Sequence, residues 1–241
     1  MGTLYIVSTP IGNMEDITLR ARRILSEVDV IACEDTRKTG LLLQNIQDKP
    51  CEVSPRTRSH LAKLISYYEE NELRRIPEII QFLKEGKNVA LVSNAGTPTI
   101  SDPGFKLVRE CVSQEIAVEA IPGPSAILTA LVSSGLPTDK FLFLGYLPKK
   151  QGKRRKLFES LKAIQQPACR QAGLTIIFYE SPYRLIKTLT DLKETFGDIP
   201  IVICREMTKI HEEIRREKIS DAIKHFEQVQ PKGEFTLLLY L

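Results

Sequence analysis

Hydrophobic positions in the first half of the chain alternate between two patterns. Short unbroken runs of small and β-branched apolar residues occur at Thr3–Ser8, Val30–Cys33, Val89–Val92 and Ile116–Ile121. Each is bounded by Gly, Pro, Asn or charged residues, which predicts buried strands. The second pattern is helical. Ile17, Ala21, Ile24, Leu25 and Val28 share one face of a helix predicted from about Thr18 to Val28. Leu41, Leu42 and Leu43 belong to a second helix. Ile76, Ile79, Ile80 and Leu83 define a third, with Pro77 at its start and Gly86 after its end. Leu64–Tyr67 is a further candidate strand. Helices are also predicted from Phe105 to about Gln114 and over Ala126–Ser133. Strands alternating with helices make a βαβ series, and hence a largely parallel sheet covered on both faces.

Phe141–Leu144 reads as one more strand, and a charged run follows it. The domain boundary is placed there, giving domains 1–144 and 145–241. In the second half, strands are predicted at Leu174–Tyr179, Ile199–Cys204 and Phe235–Leu241. Between the first two lies a helix with Ser181 as cap, Pro182 in the first turn, an apolar face of Leu185, Ile186, Leu189 and Leu192, and Gly197 as stop. Ile219–Phe226 predicts another helix. Two stretches lose the pattern. Asn45–Arg58 reads as an exposed excursion, and Pro167–Gly173 as an insertion.

Composition narrows the class. With 241 residues, 42% hydrophobic and 27% charged, the chain can bury a core as an ordinary globular protein. No apolar run approaches the roughly 20 residues that span a bilayer. The start, MGTLYIVSTP, has no basic segment before its apolar run, so no signal peptide is expected. The cysteines at 33, 51, 111, 169 and 204 form no CxxC, and the histidines at 60, 211 and 225 form no HExxH. The expectation is a cytoplasmic protein with no metal site. Charge is unevenly spread: Met1–Lys140 holds 16 basic and 18 acidic residues, Phe141–Leu241 holds 18 basic and 12 acidic. The basic second half points to a polyanionic partner, with a solvated basic surface as the alternative.

Four polar loops leave predicted strand ends: Thr9–Asn13, Glu34–Arg37, Ser93–Asp102 and Pro122–Ser125. In a parallel sheet such loops converge on the edge where ligands bind. Neither GxGxxG nor GxxxxGK[ST] is present, which excludes the common dinucleotide and P-loop signatures.

Seven segments in order carry a resemblance over nearly the whole chain. They are Thr9–Asn13 (TPIGN), Ala32–Arg37 (ACEDTR) with Thr39 and Gly40, Ser93–Pro98 (SNAGTP), Ile100–Gly104 (ISDPG), Ile121–Ser125 (IPGPS), Phe178–Pro182 (FYESP) with Arg184, and Arg205–Lys209 (REMTK). Together they resemble the 16S ribosomal RNA (cytidine-2'-O)-methyltransferases of the tetrapyrrole methylase superfamily, the class III S-adenosylmethionine methyltransferases. The resemblance implies two α/β domains, with S-adenosyl-L-methionine held in a cleft between them. It implies a homodimer and methylation of a cytidine 2'-hydroxyl in the decoding centre of the small ribosomal subunit. The cofactor contacts it implies are Pro10, Ser93, Asn94, Ala95, Gly96, Thr97, Ser101, Asp102, Pro122, Gly123, Ser125, Ala126 and Tyr179.

Such a cofactor brings its own activated methyl group, so neither metal nor covalent nucleophile is required. A ribose hydroxyl is a poor nucleophile and needs a group to accept its proton or stabilise its charge. Glu34, Asp35, Arg37 and Glu180 are the catalytic candidates, with Asp102 beside them; a helix cap or ion pair is the alternative for each. One departure stands out: Asn94 occupies a position where the family pattern has Asp. Lys149–Lys156 holds six basic residues in eight. Lys149, Lys150, Lys153, Arg154 and Arg155, with Arg184, are the candidate RNA contacts, acting as a phosphate-binding hinge. Two competing functions are a small-molecule tetrapyrrole methylase, against which the basic run argues, and a non-catalytic RNA-binding assembly protein, which leaves the strand-end loops unexplained.

Overall fold

The structure, a computed structural model, describes residues 1–48, 62–162 and 173–241. The longer stretch at 50–59, and that at 167–173 except Gly173, lie outside them. The chain divides into two units, Met1–Ser125 and Ala126–Leu241.

In the first unit β1 (Leu4–Val7), α1 (Leu19–Glu27), β2 (Val30–Cys33), α2 (Thr36–Asp48), β3 (Lys63–Ser66), α3 (Glu72–Lys84), β4 (Val89–Val92), α4 (Phe105–Ser113) and β5 (Val118–Ile121) follow in order. The five strands form one sheet, β3-β2-β4-β1-β5, with every pairing parallel. The sequences of β2 and β4, VIAC and VALV, show no polar alternation because every position is buried. One face of the sheet packs Ala21, Ile24, Leu25 and Ile46 of α1 and α2. The other packs Ile79, Ile80, Leu83, Leu107 and Cys111 of α3 and α4. Thr18 Oγ1 caps α1 by accepting from the Ala21 amide at 3.1 Å.

Two expectations are corrected here. Asn45–Asp48 are helical, because buried Ile46 continues the apolar stripe of Leu42 and Leu43. Pro77 sits inside α3, which begins at Glu72. The polar Glu69–Asn71 stretch supplies the entry instead: the Asn71 side chain accepts from the Tyr68 amide at 2.9 Å and donates to Ser66 O at 3.1 Å. Proline near a helix start removes only one early bond.

In the second unit α5 (Ala126–Ser134), β6 (Phe141–Tyr146), α6 (Gln151–Lys162), β7 (Thr175–Glu180), α7 (Leu185–Phe196), β8 (Pro200–Arg205), β9 (Glu213–Lys218), α8 (Ile219–Gln228) and β10 (Phe235–Tyr240) build a mixed sheet, β6-β7-β10-β8-β9. Only β6 and β7 pair in parallel. A boundary at 144/145 would cut β6, which pairs with β7 from Phe141 to Tyr146. The helix after β7 starts at Leu185, and Pro182–Arg184 form a turn before it. Gly197 ends it at φ +82°, a conformation natural to glycine. The unexpected strand is β9. Arg215 bridges Glu213 and Glu217 along one side of this edge strand. Its charge hides it from a hydrophobic pattern and discourages edge-to-edge pairing.

The buried stripe of α6 reads Arg154, Phe158, Leu161, so an arginine stands at an apolar position. It meets Asp191 of α7, which is fully buried. Arg154 Nε donates to Asp191 Oδ2 at 2.8 Å and Nη2 contacts the same oxygen. Gln151 Nε2 and Arg155 Nε donate to Oδ1 at 2.8 and 2.9 Å. Burial opposes the charged carboxylate, but the hydrogen bonds from Gln151, Arg154 and Arg155 outweigh it and hold Asp191 below its usual pKa. Among the described residues no helix is long and apolar enough to cross a membrane.

Removing one member of such a pair strands a buried charge. Asp191→Ala is expected to destabilise the second unit by about 3–5 kcal/mol. Urea unfolding followed by circular dichroism measures it, and a loss near zero would contradict the assignment.

Candidate active site

The strand order dictates where a ligand can enter the first unit. From β1 the chain crosses β4 to reach β2; from β4 it crosses β1 to reach β5. The two connections leave adjacent strands in opposite directions. Right-handed crossovers therefore carry α1 and α4 to opposite faces, as the two core clusters show. A crevice opens at the carboxyl ends of β1 and β4. The loops Ser8–Asn13 and Ser93–Gly104 flank it, with Glu34–Arg37 and Pro122–Ser125 on the neighbouring strands.

These loops are fastened together. Thr9 and Gly96 exchange backbone hydrogen bonds at 2.9 and 3.0 Å. Thr9 Oγ1 donates to Ser93 O at 3.3 Å. Thr97 Oγ1 donates to Pro124 O at 3.2 Å and lies 3.0 Å from Ser8 Oγ. A hydroxyl has one proton, so Ser8 is the donor in that last contact. One threonine thus ties the β1, β4 and β5 loops. Ser8, Thr9 and Ser93 are buried and satisfied; Thr9 was expected only as the start of the Thr9–Asn13 loop, and Ser8 was not expected, its one sequence signal being a hydroxyl directly after a strand.

Close approach requires the small residues. A Cβ on Gly123 would stand 2.8 Å from Ser8 Cβ, and Gly96 adopts φ +77° beneath Ile11. Pro10 is buried, whereas Asn94, Ala95, Pro122 and Gly123 are exposed, and Ser125 is half-buried. Thr99 and Ser101 adopt φ +73° and +61°. A β-branched residue there is strained by about 1–3 kcal/mol, and such strain concentrates at functional loops.

The carboxylates divide by role. Asp35 caps α2: its Oδ1 accepts from the Arg37 amide at 2.9 Å, and both oxygens accept from the Arg37 guanidinium at 3.2 and 3.0 Å. The side-chain hydrogen bond from Arg37, with the backbone bond behind it, draws Asp35 down to about 2. Asp102 behaves oppositely. Burial pushes its pKa up and the charge of Glu34 adds to this, against a hydrogen bond from Ser93. Glu34, Ser93 and Asp102 therefore lie close together where the β2 and β4 loops adjoin.

In the second unit, Ala126 begins α5 and Tyr179 packs edge-on to Phe143 at 5.0 Å. Three expectations fail there on geometry. Glu180 is buried and saturated: Oε1 accepts from the Ser181 amide at 2.8 Å and Arg184 Nε at 2.7 Å, and Oε2 from Thr188 Oγ1 at 2.6 Å. Arg184 is committed to Glu180 and to Leu147 O. Arg154 lies inside the core with Asp191. Glu180 and Arg154 are too buried to touch substrate, and the partly exposed Arg184 is tied to two acceptors. Arg155 is partly exposed but bound to Asp191 and Glu194. Lys149, Lys150 and Lys153 are exposed, and among the described residues none of their ammonium groups pairs with a carboxylate.

Among the described residues no three His, Cys, Asp or Glu side chains come together as a metal ion requires. A groove of about 490 Å³ between α3 and α4 is lined by Ile76, Ile80, Lys84, Lys106 and Arg109. No lining residue belongs to the four strand-end loops, so it is separate chemistry. The crevice offers backbone amides, carbonyls, hydroxyls and a raised carboxyl beside small residues. That donor set suits a hydroxyl-bearing nucleoside approached closely by backbone.

A carboxyl whose pKa rises on folding favours the folded state only while protonated. Its contribution is complete below 3.8 and is lost as pH rises through the raised value. Asp102→Asn is therefore expected to raise the melting temperature relative to the parent more at pH 7 than at pH 4. Scanning calorimetry at both values tests this; an equal shift at both would show that Asp102 titrates normally.

The family model for tetrapyrrole (corrin/porphyrin) methylases matches residues 3–223. Ribosomal RNA small subunit methyltransferase I of Thermotoga maritima is 48% identical over 99% of this chain and 98% of its own length. The protein of the same name from Halalkalibacterium halodurans is 44% identical over 99% of this chain and 75% of its own. Among solved structures, diphthine synthase aligns with a TM-score of 0.70 at 13% identity, covering 99% of this chain and 90% of that one. Uroporphyrin-III C-methyltransferase from Thermus thermophilus, complexed with S-adenosyl homocysteine, aligns at 0.60 with 17% identity, covering 98% and 97%. The α/β fold, the crevice at the β1–β4 reversal and a family match over most of the length agree, and the chain belongs to the tetrapyrrole methylase family.

Proposed function

We propose that this chain transfers a methyl group from S-adenosyl-L-methionine to the ribose 2'-hydroxyl of a cytidine in the decoding centre of small-subunit ribosomal RNA. The observation that carries the RNA substrate is identity above 40% along the full chain to relatives named as small-subunit ribosomal RNA methyltransferases. The structures of tetrapyrrole-methylating relatives share the fold at under 20% identity. The cytidine and the 2'-oxygen rest on the resemblance of the seven segments. A cytoplasmic location and a homodimer belong to the same reading.

When bound, the cofactor supplies a methyl already activated on sulfonium sulfur, so the chain's own task is alignment and proton removal. The backbone of Ser93–Thr97 and Pro122–Ser125 holds the nucleoside, with Thr97 keeping the loops in register. Asp102 beside Glu34 accepts the proton of the attacking hydroxyl, because a carboxyl with a raised pKa is the stronger base. Asp35 and Arg37 serve the start of α2. Lys149, Lys150 and Lys153 contact phosphates, without the buried Arg154 and the Glu180-bound Arg184.

Mass spectrometry of small-subunit RNA from a strain lacking this gene is expected to show loss of one 2'-O-methylcytidine; an unchanged RNA would overturn the reading. For the docking surface, replacing Lys149, Lys150 and Lys153 with Ala is expected to lower the salt slope of RNA binding by about 0.7 per lost contact on single-stranded RNA. Cofactor affinity by calorimetry is expected to stay unchanged. An unaltered slope would place the RNA elsewhere.

A further inference from the structure

One short loop of the second unit is gripped by two guanidinium groups. Leu147–Lys150 leads from β6 to α6. Arg184 Nη1 donates to Leu147 O at 3.0 Å. Arg154 Nη1 donates to Pro148 O at 3.3 Å and reaches Lys149 O at 3.5 Å. Three successive carbonyls are thus held by two side chains from different helices' ends. Each guanidinium is itself locked. Glu180 accepts from Arg184 Nε at 2.7 Å, with Thr188 and the Ser181 amide filling its other lone pairs. Asp191 accepts from Arg154 Nε at 2.8 Å, with Gln151 and Arg155 on its other oxygen.

Stability alone does not call for this construction. Buried ion pairs are commonly replaceable by packed apolar side chains without loss. The arrangement gives what apolar packing cannot: a planar fork with fixed donors that sets the path of a backbone. The loop it fixes ends in exposed Lys149 and Lys150, and Lys153 stands nearby on α6. A binding group whose backbone is already ordered loses less freedom on capturing its ligand.

We propose that Arg154 and Arg184 are positioning residues for RNA capture. They hold the Leu147–Lys150 loop so that Lys149 and Lys150 meet the phosphate backbone in a preformed geometry. The proposal rests on the reading of the chain as an RNA methyltransferase.

The test is a double-mutant cycle on the full chain, with a fragment of small-subunit RNA as ligand. Arg184→Lys keeps the charge beside Glu180 but removes the fork. In the parent it is expected to raise the KM for RNA about tenfold, a coupling of ordinary size, with kcat and cofactor affinity unchanged. In a Lys149→Ala/Lys150→Ala background it is expected to have almost no further effect, because the groups it positions are gone. Glu180→Gln, which keeps the hydrogen-bonding shape, is expected to show the same pattern more weakly. Equal losses in both backgrounds, or a fall in kcat or cofactor affinity with either variant, would overturn the proposal and leave a structural role. An unchanged KM in the parent background would overturn it too. If the unmutated chain binds no RNA, the functional reading falls first and the inference falls with it.

Discussion

All five strands of the first sheet run the same way, so each loop leaving a strand's carboxyl end emerges on one edge. Parallel pairing forces this, because each return must cross over through a helix. The order β3-β2-β4-β1-β5 adds a reversal of travel between β4 and β1. Helices cover both faces, and the two connections part between β4 and β1, leaving a crevice at their carboxyl ends. The crevice is therefore a consequence of strand order, and mostly polar loops line it.

An open edge alone would be a floppy site. Here the loops are locked by few atoms. Thr97 joins three of them through one hydroxyl, and the Thr9–Gly96 bridge extends the sheet's own hydrogen bonding past the strand ends. The strained Thr99 and Ser101 are held by what surrounds them. The second unit solves the same problem with charge. Arg184 and Arg154 do for Leu147–Lys149 what hydroxyls do for Ser8–Thr97. In both units hydrogen bonds from a few side chains fix the path of a loop.

Such contacts separate what was legible in the sequence from what was not. β2 and β4 were readable because full burial leaves unbroken apolar runs, and α1 because Ala21, Ile24 and Leu25 mark one stripe. The strand-end loops were readable because polar and Gly-Pro segments cannot be core. What failed depended on partners that only the folded chain brings into contact, distant in sequence for Arg154 and within eight residues for Glu180. Arg154 looks like the other cations of its run, and only Asp191, brought near by the packing of α6 on α7, makes it a core residue. Glu180 has the composition of a catalytic acid, but Thr188, Arg184 and the Ser181 amide absorb its lone pairs. β9 escaped because its register comes from pairing with β8 and not from any apolar alternation. Ser8 and Thr9 are ordinary hydroxyls until β4 and β5 are placed beside β1.

Ion pairing within the second unit leaves the surplus of positive charge intact but decides which cations carry it. Arg154, Arg155, Arg184, Arg205 and Arg215 are engaged with carboxylates within the unit. The exposed cations of the Lys149–Lys153 segment are lysines. The split follows from chemistry: a guanidinium suits a fixed, desolvated fork, and an ammonium suits a hydrated point charge on a flexible stem. Lysines that meet phosphates fix position along a backbone but read no base. Discrimination of one nucleotide among the many in a ribosomal subunit must then come from groups other than these cations. On the proposed reading, orienting a 2'-oxygen toward an activated methyl falls to the strand-end loops, which Thr97 and the Thr9–Gly96 bridge hold together.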